Sequence, residues 1–239
     1  MTLRSASSGL AAVVGMVSLG LALVVAAQPE DEAVLGSEIT ADGLHRVHPS
    51  IIPSGWVRED VDLSDYTRAV FVPTIVQFRE FPHEEYSKRW TDPRVEFPVS
   101  ELSRPRIREL FGETFYEAAS RIQSHDLTKE FGRDVLMIQG YLTDVVTGVP
   151  PDLAGSNVQS VRWALEAKIV LELRDSMSDD VLARTIDHQR IDGPFAAAEV
   201  YSITPRVLRG WSSLLATRFR QLSRLYPSRL RRRYEENQE

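Results

Sequence analysis

Residues 161–175 read VRWALEAKIVLELRD. Trp163, Leu165, Ala167, Ile169, Leu171 and Leu173 fall on one parity, and Arg162, Glu166, Lys168, Glu172 and Arg174 on the other. Strict alternation over this length specifies a strand with one buried and one solvated face. A short polar stretch, Ser176–Asp180, leads into Val181–Ile191, a second strand. The two are expected to form an antiparallel hairpin.

Outward from the hairpin, Asp134–Thr147 (DVLMIQGYLTDVVT) is apolar on both parities. That marks a central strand covered on both faces. Gly148-Val149-Pro150-Pro151 ends it. Further upstream, Ser103–Gln123 reads as a helix, with Ile107, Phe111, Phe115, Ala118 and Ile122 on one face. Ser103 is placed to cap it, and Pro105 is tolerated in the first turn. Tyr66–Phe81 is rich in β-branched and aromatic residues and reads as a strand. Pro73 within it demands a bulge or an edge position, because proline donates nothing to a ladder.

At the other end, Leu208, Trp211, Leu215, Phe219, Leu222 and Tyr226 step at helical spacing. They predict a last helix over Pro205–Tyr226, stopped by Pro227. The order β-α-β, hairpin, α predicts an α+β fold, a mixed β-sheet with helices packed on it.

The first 27 residues have a different character. Arg4 is their only charge, and Gly9–Ala27 is uncharged, ending in Val25-Ala26-Ala27 before acidic Gln28–Glu32. This is the pattern of a secretory signal peptide over 1–27. An uncleaved anchor is the competing reading, since about 20 apolar residues can span a bilayer. The expected location is therefore exported, periplasmic or cell envelope, membrane-anchored if the signal stays attached. The remaining divisions are a flexible arm over 28–56, one α+β domain over 57–226, and a basic, polar tail over 227–239.

Composition narrows the function. The net charge of −6 argues against a nucleic-acid partner. With no cysteine, thiol catalysis, thiolate zinc and iron–sulfur sites are excluded. Charge is nonetheless segregated. From Pro205 onward there are nine arginines against three glutamates, whereas 28–98 holds fourteen acids and seven bases. Arginines on the last helix can simply solvate its outer face. Arg229, Arg231, Arg232 and Arg233 lie beyond the helix stop, and they are the expected contact site for an acidic partner or an anionic surface.

Certain short segments resemble a family of small bacterial cell-envelope proteins of unknown function, periplasmic and usually lipoproteins. They are Asp65-Tyr66 with Ala69–Pro73 and Val76-Gln77-Phe78, then Asp134-Val135-Leu136 through Leu142-Thr143-Asp144, then Glu172–Asp175 with Leu182-Ala183-Arg184. Together they cover roughly Val57 to Tyr226. The resemblance implies an envelope role but supplies no catalytic residues. Lipid attachment does not carry over, because the required cysteine is missing.

No motif in the chain specifies catalysis. His83, Glu84 and Glu85, with Glu80 nearby, offer a weak alternative as metal ligands, but no second histidine follows four residues on. Asp187 and His188 are strand neighbours, so their side chains point to opposite faces. His45 and His48 belong to the expected arm. Asp144 in an apolar strand must be paired or near the strand end, and the strand end is the simpler explanation. Tyr141 and Trp163 read as core. No catalytic residue and no cofactor is assigned. The expected function is a non-enzymatic exported envelope protein that binds a protein partner or an anionic membrane surface. The alternative is a periplasmic hydrolase or metal-dependent enzyme using the Glu80–Glu85 loop or His188.

Overall fold

The computed structural model describes residues 35–49, 51–59, 61–82, 95–122, 124–150 and 160–225. In chain order the elements are β1 (Leu35–Ile39), β2 (His45–Val47), β3 (Gly55–Val57), β4 (Arg68–Phe71), β5 (Ile75–Phe78), α1 (Arg104–Ala119), β6 (Asp126–Leu127), β7 (Val135–Thr147), β8 (Ser160–Asp175), β9 (Val181–Ala196) and α2 (Glu199–Leu222). The fold is α+β. Nine strands form one mixed sheet in the order β1-β2-β3-β9-β8-β7-β4-β6, with β5 also on β7, and both helices pack on it. β4 and β5 run parallel to β7, and β8 is antiparallel to both β7 and β9.

The alternating stretch forms β8 at the centre, with Leu171 opposite Gly140 on one side and Thr185 on the other. Its apolar parity is the core: Ile169, Leu171 and Leu173 are fully buried beneath Leu208, Trp211 and Leu215 of α2 and Phe111 and Phe115 of α1. Gly140 makes room for α1, because a Cβ there would sit 3.1 Å from the Phe115 ring. The helices are joined inside by a hydrogen bond between the hydroxyls of Thr114 and Ser212, at 2.7 Å.

Several expectations need correction. The stretch 35–56, expected to lie in a flexible arm over 28–56, holds β1, β2 and the start of β3, and β3 is paired to β9. These strands are three to five residues long, too short to show a period. Tyr66–Phe81 is two strands rather than one, broken at Val72-Pro73-Thr74, where proline cannot continue the ladder. Ser103 makes no capping bond, and its hydroxyl instead meets that of Ser100 at 2.8 Å. The last helix starts at Glu199, six residues earlier than expected, with Pro205 inside it. Pro205 removes the donor to the Tyr201 carbonyl, while the helix start is held by Glu199, which accepts from the Ala196 N–H at 2.9 Å and places an acid in the first turn.

The solvated parity of β8 is drier than alternation implies. Glu166 is 8% and Glu172 6% exposed. Arginines from neighbouring strands lie over them, as described next.

Candidate functional site

Two features stand out: a charged network on the open face of the sheet, and an apolar cleft at one end of the helical layer.

The network centres on Glu172. It accepts from Arg174 at 2.7 Å, from Arg184 at 2.7 Å and from the Tyr141 hydroxyl at 2.9 Å. Arg184 also reaches Asp42, at 2.6 Å, which ties the β1–β2 hairpin to the sheet. Burial pushes the Glu172 carboxyl up, but these donors outweigh it and hold it below the ordinary glutamate range. Burial and the neighbouring carboxylate push Tyr141 up to about 12. Tyr141 is therefore a half-buried hydrogen-bonding member of this network and not core, whereas Trp163 is buried.

Asp144 is not explained by a strand end. β7 has one extra residue between Thr143 and Val146, against Lys168 and Glu166 of β8. Asp144 takes up this bulge with φ 61°, a left-handed conformation that aspartate tolerates better than most residues. The bulge aims its carboxylate at Arg79, at 2.7 Å, and Lys168, at 3.2 Å. The Arg79 hydrogen bond is the main reason its carboxyl lies at about 2. A carboxyl with a folded value below its unfolded value stabilises the protein above about pH 4, and that contribution fades as pH falls from 4 to 2. We expect Asp144→Asn to remove at most about 2 kcal/mol at neutral pH and to flatten the acid limb of stability between those values. Urea melts from pH 2 to pH 7 check this, and an unchanged acid limb would contradict it.

Asp187 and His188 do face opposite ways. Asp187 is 7% exposed beneath α2 and is held by Arg218 at 2.8 Å. His188 is on the open face, 2.7 Å from Glu166. His45 sits in β2, 3.5 Å from Glu59, rather than in an arm. His83, Glu84 and Glu85 lie outside the described residues, as do Arg229, Arg231, Arg232, Arg233 and the whole 1–27 segment. Among the described residues no three histidine, aspartate or glutamate side chains converge as a metal ion requires. No helix among them is long and apolar enough to cross a membrane.

The cleft has a volume of about 510 Å³ and opens between the first turns of α1 and α2. Val99, Ile107, Leu110, Val149, Leu165 and Val200 supply its apolar lining. Phe97 pairs with Thr147 through two backbone hydrogen bonds of 2.8 and 3.0 Å, which pins the 98–103 turn beside β7. At Gly148 a Cβ would meet the Trp163 carbonyl at 2.4 Å, so only glycine lets the chain pass β8 there. At the rim Arg104 is anchored to the Val99 carbonyl at 3.1 Å and to Glu101 at 2.8 Å. Leu102 is 94% exposed at the tip of the turn, and Tyr201 is 44% exposed across from it. Sequence reading missed this site. Its lining comes from the 98–103 turn, α1, β7, β8 and α2, and no motif links them. Leu102 within a polar turn was the only local signal.

No protein-family model matches the chain, and no curated protein matches it in sequence. In fold it is similar to the PelC dodecamer from Paraburkholderia phytofirmans, with TM-score 0.32 and 9% identity over 65% of this chain and 92% of that one. It is likewise similar to a Xanthomonas campestris protein of the family DUF330, with TM-score 0.36 and 7% identity over 63% of this chain and 81% of that one. A neuraminyllactose-binding hemagglutinin homolog from Helicobacter pylori gives TM-score 0.38 and 9% identity, over 74% and 92%.

Proposed function

We propose that this chain is a non-enzymatic, exported envelope protein whose binding site is the cleft between α1 and α2, which takes apolar side chains of a protein partner. The observation that carries this reading is the cleft itself, a preformed apolar cavity in the size range of binding sites, flanked by the exposed Leu102 and Tyr201. An exposed leucine beside an apolar hollow marks a surface built to be covered. Arg229, Arg231, Arg232 and Arg233 remain proposed as a contact for an anionic surface, and His83, Glu84 and Glu85 as the weaker metal alternative. Asp42, Asp134, Asp144, Glu172 and Asp175 are all drawn below their ordinary values, as carboxylates held in structural ion pairs and hydrogen bonds are.

The test is a titration with an apolar fluorescent probe such as anilinonaphthalene sulfonate. The folded chain is expected to bind it at one saturable site. Ser100→Trp, which puts a large ring at the cleft wall, is expected to weaken binding at least about tenfold while shifting the melting temperature by less than about 2 °C. Unchanged binding in that variant would rule out the cleft.

A further inference from the structure

The arginines of α2 are distributed in an unusual way. Arg218 is used internally, clamped on the buried Asp187. Arg206, Arg209, Arg220 and Arg224 are exposed and have no acidic partner among the described residues. Elsewhere most arginines are engaged: Arg46, Arg68, Arg79, Arg174 and Arg184 hold carboxylates, and Arg108, Arg133 and Arg162 are exposed with no acidic partner among the described residues. At about 100° per residue, Arg206, Arg209 and Arg220 fall within about 60° of one another and span about 21 Å of helix, and Arg224 follows just past the helix end at Leu222. Between them on the same face are Gly210, Ser213 and Thr217, small residues that leave the stripe flat. A Cβ at Gly210 would touch nothing, so no packing need put glycine there.

On the adjacent helix Glu109 is held by Arg106 at 2.6 Å and Glu117 is paired with Arg121, while Glu113 is exposed and makes no ion pair among the described residues. Arg121, with Glu117 as its partner, stands beside Arg220. Ala118, Arg121, Ile122, Ser213, Ala216 and Arg220 line a shallow hollow of about 220 Å³, so two guanidinium groups stand over a floor of small and apolar side chains.

We propose that the outer face of α2 is a contact surface for an anionic lipid bilayer, with the hollow between Arg121 and Arg220 receiving a phosphate headgroup. A flat, extended, single-sign stripe matches a plane of phosphates better than it matches a compact acidic site on a protein. Guanidinium groups bind phosphate with two parallel hydrogen bonds. The apolar face of α2 is committed to the core, so the helix lies on the headgroups without inserting, and contact is electrostatic and reversible. The inference rests on the exported-protein reading for the chain's encounter with a membrane surface, and is independent of the cleft.

The experiment uses residues 28–239, which contain every described residue. Co-sedimentation is measured with vesicles of equal phosphatidylglycerol and phosphatidylcholine, and with phosphatidylcholine alone, at low and high salt. Binding is expected only to the anionic vesicles and is expected to be lost at high salt. Replacing Arg206, Arg209 and Arg220 by Gln is expected to weaken it about a hundredfold, from roughly fivefold per residue. The charge-matched control, Lys129, Arg133 and Arg162 to Gln, alters three exposed cations off the stripe and is expected to bind within about threefold of the parent. Both variants should melt like the parent. Equal losses in the two triples would reduce the effect to net charge and overturn the assignment. So would binding that survives the stripe variant and disappears when Arg229–Arg233 are neutralised. Binding to soluble polyglutamate without binding to vesicles would reassign the face to an acidic protein. The probe titration of the cleft is unaffected by any of these outcomes, so failure of the stripe is distinguishable from failure of the binding-protein reading.

Discussion

Leu171→Asp is expected to unfold the domain or to cost at least about 4 kcal/mol. Leu171 is fully buried at the middle of β8, opposite Gly140 and Thr185, within the cluster that includes Phe115, Leu208 and Leu215. Arg218, which reaches the helix-facing side of the sheet, is already committed to Asp187 and does not compensate a carboxylate there. Three residues away on the other parity, Lys168 is half exposed and makes one ion pair with Asp144. Lys168→Gln is expected to cost less than about 1 kcal/mol. Denaturant melts of the two variants check the register directly, since a slip by one residue would exchange the two results. Equal costs would contradict the strand assignment.

Arg218→Met is expected to cost about 3–5 kcal/mol. The pair with Asp187 is nearly dry, at 11% and 7% side-chain exposure. Removing the guanidinium leaves a buried carboxylate facing the apolar underside of α2. The penalty comes from that orphaned charge rather than from the value of the pair, because desolvation offsets most of the attraction in an intact buried pair. The double variant Arg218→Met, Asp187→Leu is therefore expected to recover most of the loss. A double variant no more stable than Arg218→Met alone would show that the pair does more than satisfy itself. Urea melts of the three variants against the parent complete the cycle.

The parts of this fold that the sequence discloses are those with long, regular patterns. The parity of β8 over 161–175 is unbroken enough to give strand, buried face and hairpin partner together. The stripe from Leu208 to Leu222 does the same for most of α2. Where information is held in contacts between distant segments, periodicity is silent. β1, β2 and β3 are short, and Leu44 and Ile52, which are fully buried between and beside them, look no different from loop residues in the sequence. The bulge at Asp144 cannot be read from DVVT, because it is defined by register against Lys168 and Glu166. The drying of Glu166 and Glu172 likewise depends on arginines from other strands. Charge segregation was legible in the sequence. The distinction between Arg218, which is internal, and Arg206, Arg209, Arg220 and Arg224, which are not, needed α2 to be seen seated on β9.

The central claim is that the protein acts by binding a partner at the cleft between α1 and α2. Site-specific photo-crosslinking in the producing cell tests it most directly. A photoreactive residue at position 102 is placed on the exposed tip beside the cleft, and one at position 131, where Phe131 is 59% exposed, is the control. The expected result is one discrete cross-linked protein from position 102, lost when Ser100→Trp is added, and none from position 131. No adduct at 102, or the same adducts at both positions, would contradict it.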